Sequence, residues 1–215
     1  MDKSSEYQEF YRPGTIVVRR EPGPGDDCVI EGTKVLLYDG SEKNIEDIIP
    51  YSPGKDGDRL INLEGSITYP VAAIVKPNGS FPVIDFEIET SLKKYNITVS
   101  ISHGFFRSFD SIVNALYLNI GDKLITRTGE GIVRSNNVRQ YTGNVWNIYL
   151  ADKTHAERIL SMPDNFQENS REHSMLGLSV NEQSIFTNEI ASGSLIIQKR
   201  MISLMNSGIK VSQLV

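Results

Sequence analysis

The segment that decides the fold reads Cys28-Val-Ile-Glu-Gly-Thr-Lys-Val-Leu-Leu-Tyr-Asp-Gly-Ser-Glu-Lys-Asn-Ile-Glu-Asp-Ile-Ile-Pro50. After the opening cysteine, Val35-Leu-Leu-Tyr is a short apolar run, and Asp39-Gly40 is a hairpin signal. The spacing over 41–49 predicts about two helical turns capped by Ser41, with Ile45, Ile48 and Ile49 on one face. Pro50 ends that run.

The same texture continues outward. Strands are predicted over 59–63, 70–75, 83–89, 97–102, 123–127, 131–138 and 144–150, and a short helix over 110–116. The fold class is therefore all-β with short helices. An internal echo sharpens this: Gly57-Asp58-Arg59-Leu60-Ile61 returns as Gly121-Asp122-Lys123-Leu124-Ile125. Each copy follows a predicted helix and precedes a strand, which points to two related β halves. Asp58 and Asp122 are expected to cap the glycine turns, and Trp146 and Tyr149 to pack in the core.

Before the cysteine, residues 1–27 form an arm with one strand candidate from Thr15 and a Pro/Gly junction over 20–27, where regular pairing is broken. The main domain is expected over 28–198, with a polar insertion at about 151–178 that carries a short helix near 154–160. The tail, 199–215, is read as helical; the apolar spacing over 195–205 suits a docking helix.

Composition narrows the function. The chain has 215 residues and a formal net charge of −5. Its longest basic runs are dipeptides, too short for a phosphate-binding patch, so nucleic acid is not expected as a partner. No apolar stretch is long enough to span a bilayer and the N-terminus has no signal-peptide core, so no membrane role is expected. The single cysteine excludes an internal disulfide and any CxxC metal site, and three histidines add no zinc set. No metal or organic cofactor is expected. His155 and His173 fall in the polar insertion and receive no role.

Two elements could carry chemistry. Cys28 stands where the flexible junction meets the first strand. Residue type alone favours an inert, buried thiol there. In Val99-Ser-Ile-Ser-His103-Gly-Phe-Phe, a strand runs into a histidine, which by itself reads as a hydrogen-bonded structural residue. Pairing with a nucleophile would change that reading.

These blocks resemble hedgehog/intein (Hint) domains. The Cys28–Ile48 segment resembles their opening block. Ser100-x-x-His103 resembles their Thr/Ser-x-x-His, and Leu118-x-x-Gly121-Asp122 the Leu-x-x-Gly-Asp that follows it. Val145-Trp-Asn-Ile-Tyr-Leu150 resembles their Val-Tyr-Asp-Leu strand, and Gln183–Ser194 their late block. The resemblance covers about residues 28–198 and implies a β horseshoe of two pseudo-symmetric halves.

It also implies chemistry. Cys28 would attack the carbonyl of Asp27 in an N-to-S acyl shift, with His103 as proton donor to the Cys28 nitrogen. Ser100 would orient the peptide or the histidine, and Asn147 would lie near the thiol. The substrate would be the chain's own N-terminal flank; water, a thiol or another nucleophile would be the acceptor. Asp26 and Asp27 would disfavour the thiolate. Full splicing is not expected: Thr187-Asn188-Glu189 has no histidine before it and no nucleophile after it. Gln183 replaces a frequent histidine, and Asn147 a frequent aspartate.

The competing expectation is an inactive Hint-like module in a larger assembly, such as a phage or virus particle. A cysteine hydrolase acting in trans is a third reading, disfavoured because no preformed cleft is evident. The free thiol suits a reducing compartment, cytoplasmic or virion-associated.

Overall fold

The computed structural model describes residues 28–109, 111–154, 156–157 and 181–194. The arm with Asp27, most of the predicted insertion and the tail from residue 195 lie outside them, as do His155 and His173. The predicted helix over 195–205 therefore lies there too.

Twelve strands form one sheet: β1 (Val29–Ile30), β2 (Lys34–Leu36), β3 (Glu42–Asn44), β4 (Val71–Val75), β5 (Asn78–Glu89), β6 (Lys94–Ser100), β7 (Gly104–Ser108), β8 (Ser111–Asn114), β9 (Lys123–Thr126), β10 (Gly129–Leu150), β11 (Ser184–Thr187) and β12 (Ile190–Gly193). The described pairings are antiparallel, as the many short turn-bounded runs predict. The class is all-β.

The 22-residue β10 is the spine. Strands β4 and β5 lie along one of its edges in a single register, from Leu150↔Val71 through Asn144↔Asn78 to Ile132↔Glu89, with two local shifts. Val29 of β1 pairs with both Val99 on β6 and Trp146 on β10, closing β10, β5, β6 and β1 on themselves. The main core draws buried residues from both predicted halves, including Val35, Ile45 and Leu60 from one and Phe105, Leu118 and Leu124 from the other. Trp146 and Tyr149 are buried as expected.

The two halves superimpose in sequence with an offset of seventy positions: Val29/Val99, Ile30/Ser100, Thr33/His103, Val35/Phe105, Ile45/Ala115 and Ile48/Leu118. Their backbone bonds match. Thr33 N–H donates to the Ile30 carbonyl at 3.3 Å, and His103 N–H to that of Ser100 at 3.1 Å. Ile45 N–H donates to the Thr33 carbonyl at 2.8 Å, and Ala115 N–H to that of His103 at 2.7 Å. After Ile48 the first half carries a longer connection, so the Gly-Asp echo returns at a smaller offset.

The echo's aspartates bond one step away from the predicted place. Asp58 Oδ2 accepts from Ile49 N–H at 2.7 Å, and Asp122 Oδ2 from Asn119 N–H at 2.8 Å. They tie off the segment that follows each short helical turn. Each also meets a cation, Lys43 for Asp58 and Arg107 for Asp122.

The two predicted helices differ from the structure in the same way. The first begins as strand β3 paired with β2 and keeps only a 3-10 turn, Ile45–Asp47. The second is strand β8 followed by a 3-10 turn, Ala115–Tyr117, capped by the side chain of Asn114. A strand leading into one tight turn buries Ile45 and Ile48 as the helix would, but leaves Ile49 of the predicted face exposed. Pairing with the preceding strand satisfies the backbone, which decides the outcome. Residues 59–63 make only single bridges, and the strands predicted over 131–138 and 144–150 are one continuous strand. Of the predicted helix near 154–160, positions 154, 156 and 157 are helical, with Ala156 N–H bonded to the Asp152 carbonyl.

Candidate active site at the β6–β7 corner

Strand β6 ends at Ser100, and the turn to β7 brings His103 back under it. This corner receives Cys28. The Cys28 N–H donates to Ser100 Oγ at 2.7 Å, and the Ser100 N–H returns a bond to the Cys28 carbonyl at 2.8 Å. Cys28, Ser100 and His103 are 2%, 3% and 2% exposed. A buried N–H needs an acceptor, and the Ser100 hydroxyl at the strand end supplies it. The thiol packs with Phe81, Val83 and Val145.

His103 is fixed by its backbone turn and by an edge contact with Phe105, ring centroids 4.9 Å apart. Burial pushes the imidazole down to about 3, so it is neutral at neutral pH. Asn114 Nδ2 donates to the Ser102 carbonyl and locks the corner from the far side.

Asn147 is buried on β10. The register Val29↔Trp146 and Ile30↔Val145, continued by one residue, sets Asn147 opposite Cys28. Its Oδ1 accepts from Ile148 N–H at 2.7 Å. Among the predicted site residues, then, Ser100 touches Cys28 directly, His103 shares Ser100's turn, and Asn147 faces Cys28 across the strand pair. Asp27 lies outside the described residues.

Sequence reasoning singled out Gln183 only as a replacement and did not give it a partner. Strands β11 and β12 fold about Asn188-Glu189, both at positive φ (45° and 64°), the geometry of a type I′ hairpin turn. That hairpin sets Gln183 opposite Ser194: Gln183 Oε1 accepts from Ser194 Oγ at 2.7 Å, and its carbonyl from Ser194 N–H at 2.8 Å. Counting symmetrically outward from the Asn-Glu turn would have found this pair. The Asn188 amide is committed at both ends, to Lys34 N–H and to the Asn96 carbonyl. Trp146 Nε1 and Gln183 Nε2 are buried donors with no hydrogen-bond partner among the described residues. Those residues contain no cluster of metal-ligating side chains.

A two-half antiparallel β domain, closed by an N-terminal strand and presenting Cys28 at a Ser-x-x-His corner, has the Hint fold. The chain resembles the solution structure of a bacterial intein-like domain from Clostridium thermocellum, with 18% identity, a TM-score of 0.51 and coverage of 78% of this chain and 98% of that one. A crystallised gp41-1 intein variant gives 12%, 0.50, 78% and 99%, and an Ssp DnaB mini-intein variant 12%, 0.50, 79% and 99%. No family model matches the chain, and no curated protein matches it. Among the described residues no helix is long and apolar enough to cross a membrane.

Proposed function

We propose that this is an intein-like self-processing domain that breaks the Asp27–Cys28 bond by an N-to-S acyl shift, without full splicing. One observation carries the reading: the corner that holds His103 grips the nitrogen that must leave, through the 2.7 Å bond from Cys28 N–H to Ser100 Oγ. The Cys28 sulfur bonds to the Asp27 carbonyl carbon, and the C–N bond breaks. Overall the thiol proton ends on the Cys28 nitrogen. His103 relays the thiol proton to the departing Cys28 nitrogen in this scheme, and because burial disfavours its charged form the proton passes through it without resting there. Ser100 is a positioning residue that orients the scissile peptide. Water or a thiol resolves the thioester and releases the arm, residues 1–27. Asn188, whose amide is bonded at both ends, is not a cyclising residue in this scheme.

A second reading, an inert Hint-like module, draws support from Asn147, whose Oδ1 is turned onto the backbone of Ile148. Incubation with a strong thiol at neutral pH separates the two readings. Loss of residues 1–27 by intact mass supports self-processing, and an unchanged mass supports the inert module.

A further inference from the structure

Strands β4 and β5 line one edge of β10 from Leu150 to Ile132. Among the described residues the opposite edge is paired only at its ends, by β9 up to Ile132↔Lys123 and by β1 from Ile30↔Val145. The Asn136 side-chain amide donates to the Leu118 carbonyl at 2.9 Å and closes the gap at the β9 end. Residues 137–144 are left as open sheet edge, roughly 26 Å long at about 3.3 Å per residue. Two bonds fix which backbone groups face the gap. Val145 N–H donates to the Pro77 carbonyl at 3.0 Å, on the β5 side. The Pro82 carbonyl, opposite Gln140, accepts from Ile101 N–H at 3.3 Å, on the far side of β5. Gln140↔Pro82 is therefore a pair without mutual hydrogen bonds, and the N–H and C=O groups of Val138, Gln140 and Thr142 point into the gap. Val138 is 62% exposed. The stretch has no lysine or proline to guard it, and its one cation, Arg139, is turned back onto Asp85.

An open cleft borders the same stretch. Asn137 lines it together with Glu31, Asp85 and Glu87, and no lysine or arginine does. Arg139 offsets Asp85 and Lys94 offsets Glu87, while Glu31 has no ion pair among the described residues. We propose that the gap takes a short extended peptide as an added β-strand, with a lysine or arginine opposite Asn137 reaching into the cleft toward Glu31. Backbone bonds to Val138, Gln140 and Thr142 supply sequence-independent affinity, and alternate side chains on the cleft face supply selectivity. The flanks select a peptide over a second copy of the chain. A second β10 runs on past both ends of the gap, where it would meet β1 or the segment around Leu118, whereas a short peptide ends within it.

The test uses the full chain and a fluorescent peptide of alternating lysine and threonine, beside one of alternating glutamate and threonine. The lysine peptide should raise its anisotropy on binding. At saturation it should slow amide hydrogen exchange at Val138, Gln140 and Thr142 by about tenfold or more, and leave Asn137 and Arg139, which face β5, unchanged. Val138→Pro removes one edge donor without touching the bonds to β5 and should weaken binding about tenfold. Val138→Lys keeps the backbone donor and repels the basic peptide, so it should also weaken binding without a proline in the strand. Glu31→Gln should weaken the lysine peptide by roughly threefold and flatten its salt dependence. Exchange at the three edge amides that stays fast with peptide present overturns the proposal, as does equal binding of the glutamate peptide. Edge amides that slow with rising protein concentration alone would assign the gap to a second copy and overturn it as well.

Discussion

The corner at 30–33 and the corner at 100–103 are the same backbone device built twice, and only one of them holds Cys28. In the first, Thr33 turns its hydroxyl onto the Ile30 carbonyl at 2.7 Å and closes the corner on itself. In the second, Ser100 and His103 stand at the positions of Ile30 and Thr33, and Ser100 bonds outward to Cys28. The position seventy residues beyond Cys28 is Thr98, whose hydroxyl donates to Asp85 Oδ1. Asp85 is in turn clasped by Arg139. Burial pushes the Asp85 carboxyl up, but the bonds from Arg139 and Thr98 outweigh it and hold it below the usual carboxylate range. An open cleft of about 440 Å³ lies against this first corner. The backbone thus supplies the same holder twice, and the side chains at the equivalent positions differ: Ile30 and Thr33 in one, Ser100 and His103 in the other.

The comparison breaks most easily at its equivalent residues. His103→Gln should slow release of the arm by about 10²- to 10⁴-fold, the usual share of a general acid–base group, measured by intact mass over time. Thr33→Val should leave that rate unchanged and lower stability by about 1 kcal/mol, the worth of its hydroxyl bond. Equal effects on cleavage from both substitutions would mean that the corners do not differ in role.

A pH series sharpens the same contrast. An unfolded histidine titrates near 6.5, whereas burial holds His103 at about 3. Between those values the unfolded chain binds more protons. Stability is therefore full above about pH 6.5 and falls as pH drops toward 3, by up to about 1.4 kcal/mol per unit. His103→Gln should flatten this slope in denaturant titrations, and Thr33→Val should not.

A third test uses the glycines of the echo. Gly57 has φ 69°, and a Cβ there would meet the Ile49 and Pro50 backbone at 2.6–2.8 Å. Gly121 has φ 94° with open space around it. Gly121→Ala should cost about 1–2 kcal/mol from the left-handed conformation alone, and Gly57→Ala more, since backbone must also move. The smallest expected effect is at the scissile bond: removing the Asp27 carboxylate by Asp27→Ala should modestly speed thiol-induced cleavage by easing thiolate formation. Slower cleavage would contradict that electrostatic argument.

The two-half architecture was legible because the echo falls at equivalent points in the fold, where each aspartate ties off a tight turn and Leu60 and Leu124 are both fully buried. Both misread helices fall at equivalent points as well, since apolar spacing over eight or nine residues fits a strand plus one tight turn as well as it fits a helix. The full length of β10 was not legible because residues 139–143, Arg-Gln-Tyr-Thr-Gly, are exposed or half-exposed and end in a glycine, leaving no alternation to join the two predicted strands. At the site, Cys28, Ser100 and His103 could be named from motif order. The bond between Cys28 and Ser100 spans 72 residues and the Gln183–Ser194 pair depends on a hairpin register, so neither was visible in local pattern.

The central claim is that this Hint fold breaks its own chain before Cys28. Intact mass of the purified chain, incubated with a strong thiol at neutral pH beside Cys28→Ala, tests it most directly. The account predicts thiol-accelerated loss of residues 1–27 from the parent chain and an unchanged mass for the variant. A full-length parent under all conditions, or equal loss from both chains, would contradict it.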